Sequence, residues 1–518
     1  MKRDWGALVF FAVAGCSGAA GGVPAAPVAA AGGDINAAEL RHDLYVFAAD
    51  SMRGRETGTP DALNAAAFLA ARVQRLGLEP AGDSLYIQRV PLQRESLSPS
   101  SRITVEEKGR TTQIRIGVDV APLINLGTGI PPAKRTADGE IVFVGYGLVT
   151  GKPKRDDLAG LDLEGKVVVV VNGAPKGADA ATIEAMEAPE SISERLARIL
   201  PQHPAAVVIL LAGRGMSLFE EALPQIQGGM TLRSEGVEVP ESDRPIPMIL
   251  LGVPRAKSPL LPADWPVDDR PQVLKGRHFS AHVSQERTLL SGYNVVAVLR
   301  GSDPALSKTY VALGAHYDHL GIVPPVSGDS IANGADDDGS GSVALLAIAR
   351  AMATAQARPK RSMLFVWHTG EEEGLFGSSY FVDHSTVPMD SIVAQLNADM
   401  VGRNAPPVLY TVGPLSAPNG QSKRLGAIVD SVNAASALPF VIDKSWDSPT
   451  HPEHIYERSD HFNYARKGVP IVFFTTGMHP DYHRATDEAS KIEYDKLARV
   501  ARLIRDVAVV VGNGGRTR

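Results

Sequence analysis

The chain has 518 residues, enough for two domains or for one large domain with an insertion. Hydrophobic residues at 44% and charged residues at 21% are ordinary for a globular protein. A net charge of −6 gives no reason to expect nucleic acid or an anionic membrane surface as a partner, and a single cysteine, Cys16, excludes an intrachain disulfide.

Lys2 and Arg3 precede an apolar run from Gly6 to Val13, too short to span a bilayer but suited to a signal-peptide core. Val13-Ala14-Gly15-Cys16 resembles the lipobox of bacterial lipoproteins, in which the cysteine is lipidated and becomes the mature N-terminus. The expectation is an exported, periplasmic or cell-envelope protein, held to the membrane only through Cys16. An ordinary signal peptide cut nearby is the alternative. The Ala/Gly/Pro-rich stretch that follows reads as a flexible tether.

Folded structure is expected from Ile35. Ala37 to Ala49 and Ala62 to Leu76 have helical spacing, and Gly77 stops the second. Val90 to Ile116 alternates weakly and has room for two strands. From Gly117 to Ser284 short apolar runs end in glycine: Glu140 to Gly147, Lys166 to Gly173, Ala205 to Gly213 and Ile246 to Gly252. Only Ile192 to Leu200 looks clearly helical there, so this stretch reads as a β-rich accessory unit. From Tyr293 strands and helices alternate, with strands within Asn294 to Gly301, Tyr310 to His316, Ser362 to Gly370, Ile392 to Gly402 and Val469 to Gly477. Helices are expected over Val343 to Met352, Arg424 to Asn433 and Tyr494 to Val511. This alternation predicts an α/β fold: a three-layer sandwich whose mostly parallel central sheet is flanked by helices. The expected division is a signal peptide over 1–16, a tether over 17–34, a main domain over 35–116 and 285–518, and an insertion over 117–284.

Polar residues stand at corresponding places in the main domain. His316 follows one strand, Glu371 to Glu373 the next, Asp399 ends a third, and His483 lies beyond a fourth. In open α/β sheets, ligands bind outside the carboxyl ends of the strands. Asp336, Asp337 and Asp338 sit at a loop–helix junction, where three adjacent carboxylates call for solvation or a multivalent cation. Histidine beside such a cluster suggests mixed nitrogen and oxygen ligands, which suits zinc.

These motifs resemble the co-catalytic di-zinc aminopeptidases, peptidase family M28. The resemblance rests on Gly314 to Gly321, Ala335 to Gly341, Gly370 to Ser378, Asn397 to Arg403, Arg458 to Phe462 and Tyr482 to Asp487, and more loosely on Arg53 to Thr59. Ala485 stands where many members have proline, and Thr369 where many have alanine. The insertion is loosely similar to the protease-associated domain that many members carry. The resemblance implies two zinc ions, with Asp337 bridging them, His316 and Asp399 completing one site and Glu372 and His483 the other. It implies a zinc-dependent exopeptidase, an aminopeptidase acting on peptide substrates through a metal-bridged water. Three carboxylates and two neutral imidazoles then leave the site near +1, which suits a bound hydroxide. Asp318 would orient a histidine ligand, Glu371 would be the general base, and Tyr482 would donate a hydrogen bond to the oxyanion.

Each residue has a duller reading. The aspartates could be a solvated helix N-terminus, and the glutamates a charged surface turn. His319, His451, His454, His461 and His479 read as surface or structural residues, and Asp460 and His461 as ties between loops. The alternatives in function are a carboxypeptidase or dipeptidase of the same fold, a glutaminyl-cyclase-like acyltransferase with one zinc, and a metal-free receptor-like binding protein.

Overall fold

The computed structural model describes residues 34–123, 135–151, 154–175, 177–188, 190–233, 246–262, 270–515 and 517. The expected signal peptide, Cys16 and the tether up to residue 33 lie outside the described residues. Among the described helices none is long and apolar enough to cross a membrane.

The Asn36 side-chain oxygen accepts from the Glu39 N–H at 2.9 Å and starts the helix Ala37–Phe47. Thr59 accepts from the Ala62 N–H and caps Pro60–Arg75, with the proline in the first turn, where a missing N–H costs nothing. Gly341–Ala353, Lys423–Ala435 and Tyr494–Gly512 form where their 3.6-residue periodicity predicts.

Four parallel strands form the centre of the main sheet, side by side in the order Ser362–His368, Tyr310–His316, Ile392–Ala398 and Ile471–Thr475. Antiparallel strands extend it on both flanks: Gln285–Leu299 beside Ser362–His368, and Val408–Val412 beside Ile471–Thr475. Successive side chains of each central strand enter opposite cores. Val311, Leu313 and Ala315 pack with the five helices named above, while Tyr310 and Ala312 pack with residues of Phe376–Asp383 and His461–Arg466. Burial on both faces explains why these strands read as unbroken apolar runs. The expected three-layer α/β sandwich is present.

A second sheet has its own parallel centre, Thr136–Phe143, Val167–Asn172, Ala206–Leu211 and Met248–Gly252. Val167, Val169 and Val171 enter one core, and Val168 and Val170 the other. This unit is more helical than its sequence suggests, with Ala180–Glu187, Glu190–Ile199 and Met216–Gln227 all α-helical. Ala180–Glu187 buries no side chain, so it carries no apolar stripe to read.

Sheet pairing also moves the expected boundary at residue 117. Arg102–Glu107 and Arg110–Ile114 form a hairpin that joins the second sheet beside Gln272–His282. Weak alternation marks such segments as strands but does not say which sheet takes them. The crossing point is at Ser98, whose N–H donates to the Ser284 carbonyl at 2.8 Å. Beyond it Ile87–Leu97 and Gln285–Leu299 pair residue by residue from Leu97↔Gln285 to Ile87↔Val295. One strand of the intervening stretch, Gly228–Leu232, leaves the second unit and pairs with Ile87–Leu97 at the rim of the main sheet.

Candidate metal centre

His316 ends its strand at the carboxyl rim of the main sheet. Its Nδ1 lies 3.2 Å from the Asp318 backbone oxygen and 3.8 Å from the Asp318 carboxylate. The backbone carbonyl is therefore the nearer orienting group, and the Asp318 carboxylate accepts instead from the Glu371 N–H at 3.3 Å. His316 Nε2 faces Asp337 Oδ1 at 3.2 Å, Asp399 Oδ1 at 3.6 Å and Glu371 Oε2 at 3.8 Å.

The three aspartates are all buried, so the solvated helix N-terminus does not describe them. Asp336 accepts from the Gly402 N–H at 2.7 Å and faces His479 Nε2 at 3.2 Å. Asp338 accepts from the N–H groups of Gly341, Met400 and His316. The two outer carboxylates thus fix neighbouring backbone and leave Asp337 to face the cleft. The Asp337–Asp338 peptide is cis. Gly341 has to be glycine, because a Cβ there would lie 2.3 Å from the Ala398 carbonyl of the adjacent strand.

On the other side of Asp337, His483 Nε2 lies 3.3 Å from Asp337 Oδ2 and 3.0 Å from Glu372 Oε2. The residues expected to cluster, His316, Asp337, Glu372, Asp399 and His483, therefore meet around the Asp337 carboxylate. His319 joins them. Buried rather than at the surface, it sets Nδ1 against Glu372 Oε1. Two groupings have the reach of a metal site: His316, Asp337 and Asp399, and His319, Asp337 and Glu372. His461 and His479 are also buried; His461 stacks on Phe473 and approaches the Tyr456 carbonyl at 2.9 Å.

Charge in this cluster is strongly coupled. Burial pushes Asp337 up, but the imidazoles of His316, His483 and His319 outweigh it and hold it well below the usual carboxylate range. Burial alone would depress His483, yet Asp337 and Glu372 raise it to about 10. Glu371 is pushed well up by burial, with Asp399, Glu372 and Asp460 adding to the effect and His316 opposing it. Asp460, also buried, is raised to about 7 by desolvation, with His316 opposing. An anionic field that keeps imidazoles protonated is one that dications occupy by displacing those protons. The donor set fits zinc: mixed imidazole and carboxylate, with His316 Nε2, His319 Nε2 and Asp337 Oδ2 buried and without hydrogen-bond partners.

Arg55 underlies the cluster. Fully buried, it donates to the carbonyls of Phe47, Tyr317, Asn333 and Gly334, and so ties the His316 loop to the loop that carries Asp337. Burial lowers its pKa to about 10. The sequence signal for it was the loose match over Arg53 to Thr59. An open cleft adjoins the cluster. It is lined by the carboxylates Asp337, Glu371, Glu372 and Asp399, by apolar residues such as Met400, Trp446, Ile455 and Phe473, and by Arg458 and Tyr482.

Residues 294–508 match the family model described as Peptidase family M28. Leucine aminopeptidase 1 of Trichophyton rubrum is 29% identical over 237 residues, which is 44% of this chain and 60% of that protein. Leucine aminopeptidase 1 of Arthroderma otae is 31% identical over 212 residues, 39% of this chain and 54% of that protein. The match thus spans little more than half the length of these relatives. A solved aminopeptidase from Aneurinibacillus sp. strain AM-1 superposes with a TM-score of 0.52 at 18% identity, over 93% of this chain and 96% of that one. At that identity the likeness is one of fold.

Proposed function

Since the chain belongs to peptidase family M28 through residues 294–508, we propose that it is a zinc-dependent aminopeptidase that removes N-terminal residues from peptides. One observation carries the reading: two groups of buried ligand atoms share the Asp337 carboxylate, and several of those atoms lack any other partner. His316 and Asp399 would hold one ion, Glu372 and His483 a second, with Asp337 between them. Zinc supplies Lewis acidity there and makes a water acidic near neutral pH.

The chain's own groups account for the rest. Glu371 lines the cleft with its Oε2 3.8 Å from His316 Nε2, and its burial-raised pKa suits a group that takes up a proton. It takes that proton from the water that attacks the scissile carbonyl carbon and returns it to the amine nitrogen as the C–N bond breaks. Charge builds on the carbonyl oxygen meanwhile, and the hydroxyl of Tyr482, which lines the cleft, donates a hydrogen bond to it. The carboxylates that line the cleft accept a cationic α-amino group, and its apolar side chains receive the first side chain. The Cys16 lipid anchor remains part of this proposal; Cys16→Ser would move the protein from the membrane fraction to the soluble one.

The test is metal analysis with kinetics. Purified protein should carry about two zinc ions, lose activity to chelator and regain it with zinc. Aminoacyl substrates should be cleaved and their N-acetylated forms left intact. Full activity in metal-free protein, or preference for N-blocked peptides, would refute the assignment. His483→Ala should lose one ion and His319→Ala should keep both; the reverse would assign the ligand to His319.

A further inference from the structure

Arg458 is the one Lys or Arg among the residues lining the cleft, whose other side chains are mainly carboxylates and apolar groups, with Thr475 and Tyr482. One guanidinium nitrogen donates to the Tyr482 hydroxyl oxygen at 3.4 Å, and the other approaches the exposed Glu453 carboxylate at 3.5 Å. Its backbone is anchored from the next residue onward. Ser459 donates to Asp399 at 2.6 Å, Asn397 donates to Ser459 at 2.9 Å, and Asp460 is buried. The Tyr482 ring is held on its own side, stacked on His483 with centroids 3.8 Å apart. Arg458 itself is exposed, and its side chain is held by these two contacts above an anchored backbone.

A guanidinium can only donate, whereas a phenol hydroxyl both donates one hydrogen and accepts at its oxygen. With Arg458 on the acceptor side, the Tyr482 hydrogen has to point elsewhere, and the cleft is the open direction. We infer that Arg458 is the positioning residue of Tyr482: it takes the phenol's acceptor side, so that the O–H is aimed at the oxygen that gains charge during hydrolysis. The cation also polarises the O–H bond, strengthening the hydrogen bond as negative charge develops. Arg458 itself touches no reacting atom. The inference rests on the aminopeptidase reading and on the oxyanion role given there to Tyr482.

Steady-state kinetics on leucine p-nitroanilide, a substrate with no carboxylate, test it with Tyr482→Phe, Arg458→Met, Arg458→Lys and the double variant Tyr482→Phe/Arg458→Met. Removing an oxyanion donor should lower kcat roughly 10²-fold for Tyr482→Phe, and Arg458→Met should lower it roughly tenfold. KM should stay within about twofold for both, because the contact matters in the transition state rather than the ground state. Arg458→Lys should recover part of the loss. The double variant should be no slower than Tyr482→Phe alone, because the arginine acts through the tyrosine. Zinc content should be that of wild type throughout, which separates positioning from disruption of the centre. Losses that multiply in the double variant overturn the inference, as does an Arg458→Met effect confined to KM. A Tyr482→Phe enzyme as fast as wild type overturns it together with the role of Tyr482. An inactive wild-type protein overturns the aminopeptidase reading and this inference with it.

Discussion

Val167–Asn172 and Tyr310–His316 are both central parallel strands, buried on two faces, and each ends at the carboxyl rim of its sheet. The second sheet satisfies the polar group it places there. Asn172 donates to the Glu187 carbonyl at 3.2 Å and accepts from Ser191 at 2.8 Å. The main sheet leaves His316 Nε2 without a hydrogen-bond partner, facing three carboxylates. Each unit also buries an arginine that clamps backbone carbonyls, Arg55 in one and Arg195 in the other, both lowered to about 10 chiefly by burial. Architecture and even its buried clamps are shared, so neither marks the chemistry. What marks it is a set of buried polar atoms that fail to satisfy one another and converge on one place.

Substitutions at matching places in the two units should sharpen that contrast. Asp337→Ala should have the largest effect, reducing activity to background and losing both ions, while Asn172→Ala should leave zinc content and kcat unchanged. Two tightly bound zinc ions in Asp337→Ala would remove the bridging role. Glu371→Gln should come next, with kcat down roughly 10²–10⁴-fold and zinc retained. Glu373→Gln should do little; a reversed pair would mean the wrong glutamate has been given the proton. Arg55→Met and Arg195→Met should each cost about 3 kcal/mol of stability, since each strands several buried carbonyls. Only Arg55→Met should also weaken zinc binding, by roughly 10–100-fold, measurable by competition with a chelator. Equal zinc affinity in the two variants would break the distinction between the clamps. Reductant should have no effect at all on the melting temperature, because the chain has one cysteine.

Much of the main domain could be read before folding. Thr59-Pro60 is a helix start, and Tyr310 to His316 has the length and burial of a parallel strand. Strand ends bearing His316, Glu372 and Asp399 had to share a rim once the sheet was parallel. His319 was missed because one imidazole in a loop looks like any other until burial places it against Glu372. The division of labour among Asp336, Asp337 and Asp338 depends on which backbone N–H groups arrive from Met400 and Gly402, far away in sequence. Arg55 was visible only as part of a motif, since its partners are carbonyls, which every residue has. The hairpin of Arg102–Glu107 and Arg110–Ile114 shows a limit of another kind: alternation specifies a strand, and only tertiary contact chooses its sheet.

The route by which Ile87–Leu97 is built into the main sheet has a consequence for synthesis. Its long partner, Gln285–Leu299, lies far along the chain; Arg287 and Glu95, which pair across the two strands, are 192 positions apart. At roughly 5–20 residues per second, the first strand leaves the ribosome on the order of 10 s or more before that partner is made. Closing so large a loop is slow, and an unpaired strand edge invites association between nascent chains. Gly228–Leu232 emerges in the interval and pairs with the other edge of the same strand. A segment only five residues long is therefore synthesised, and available to Ile87–Leu97, before that strand's main partner exists.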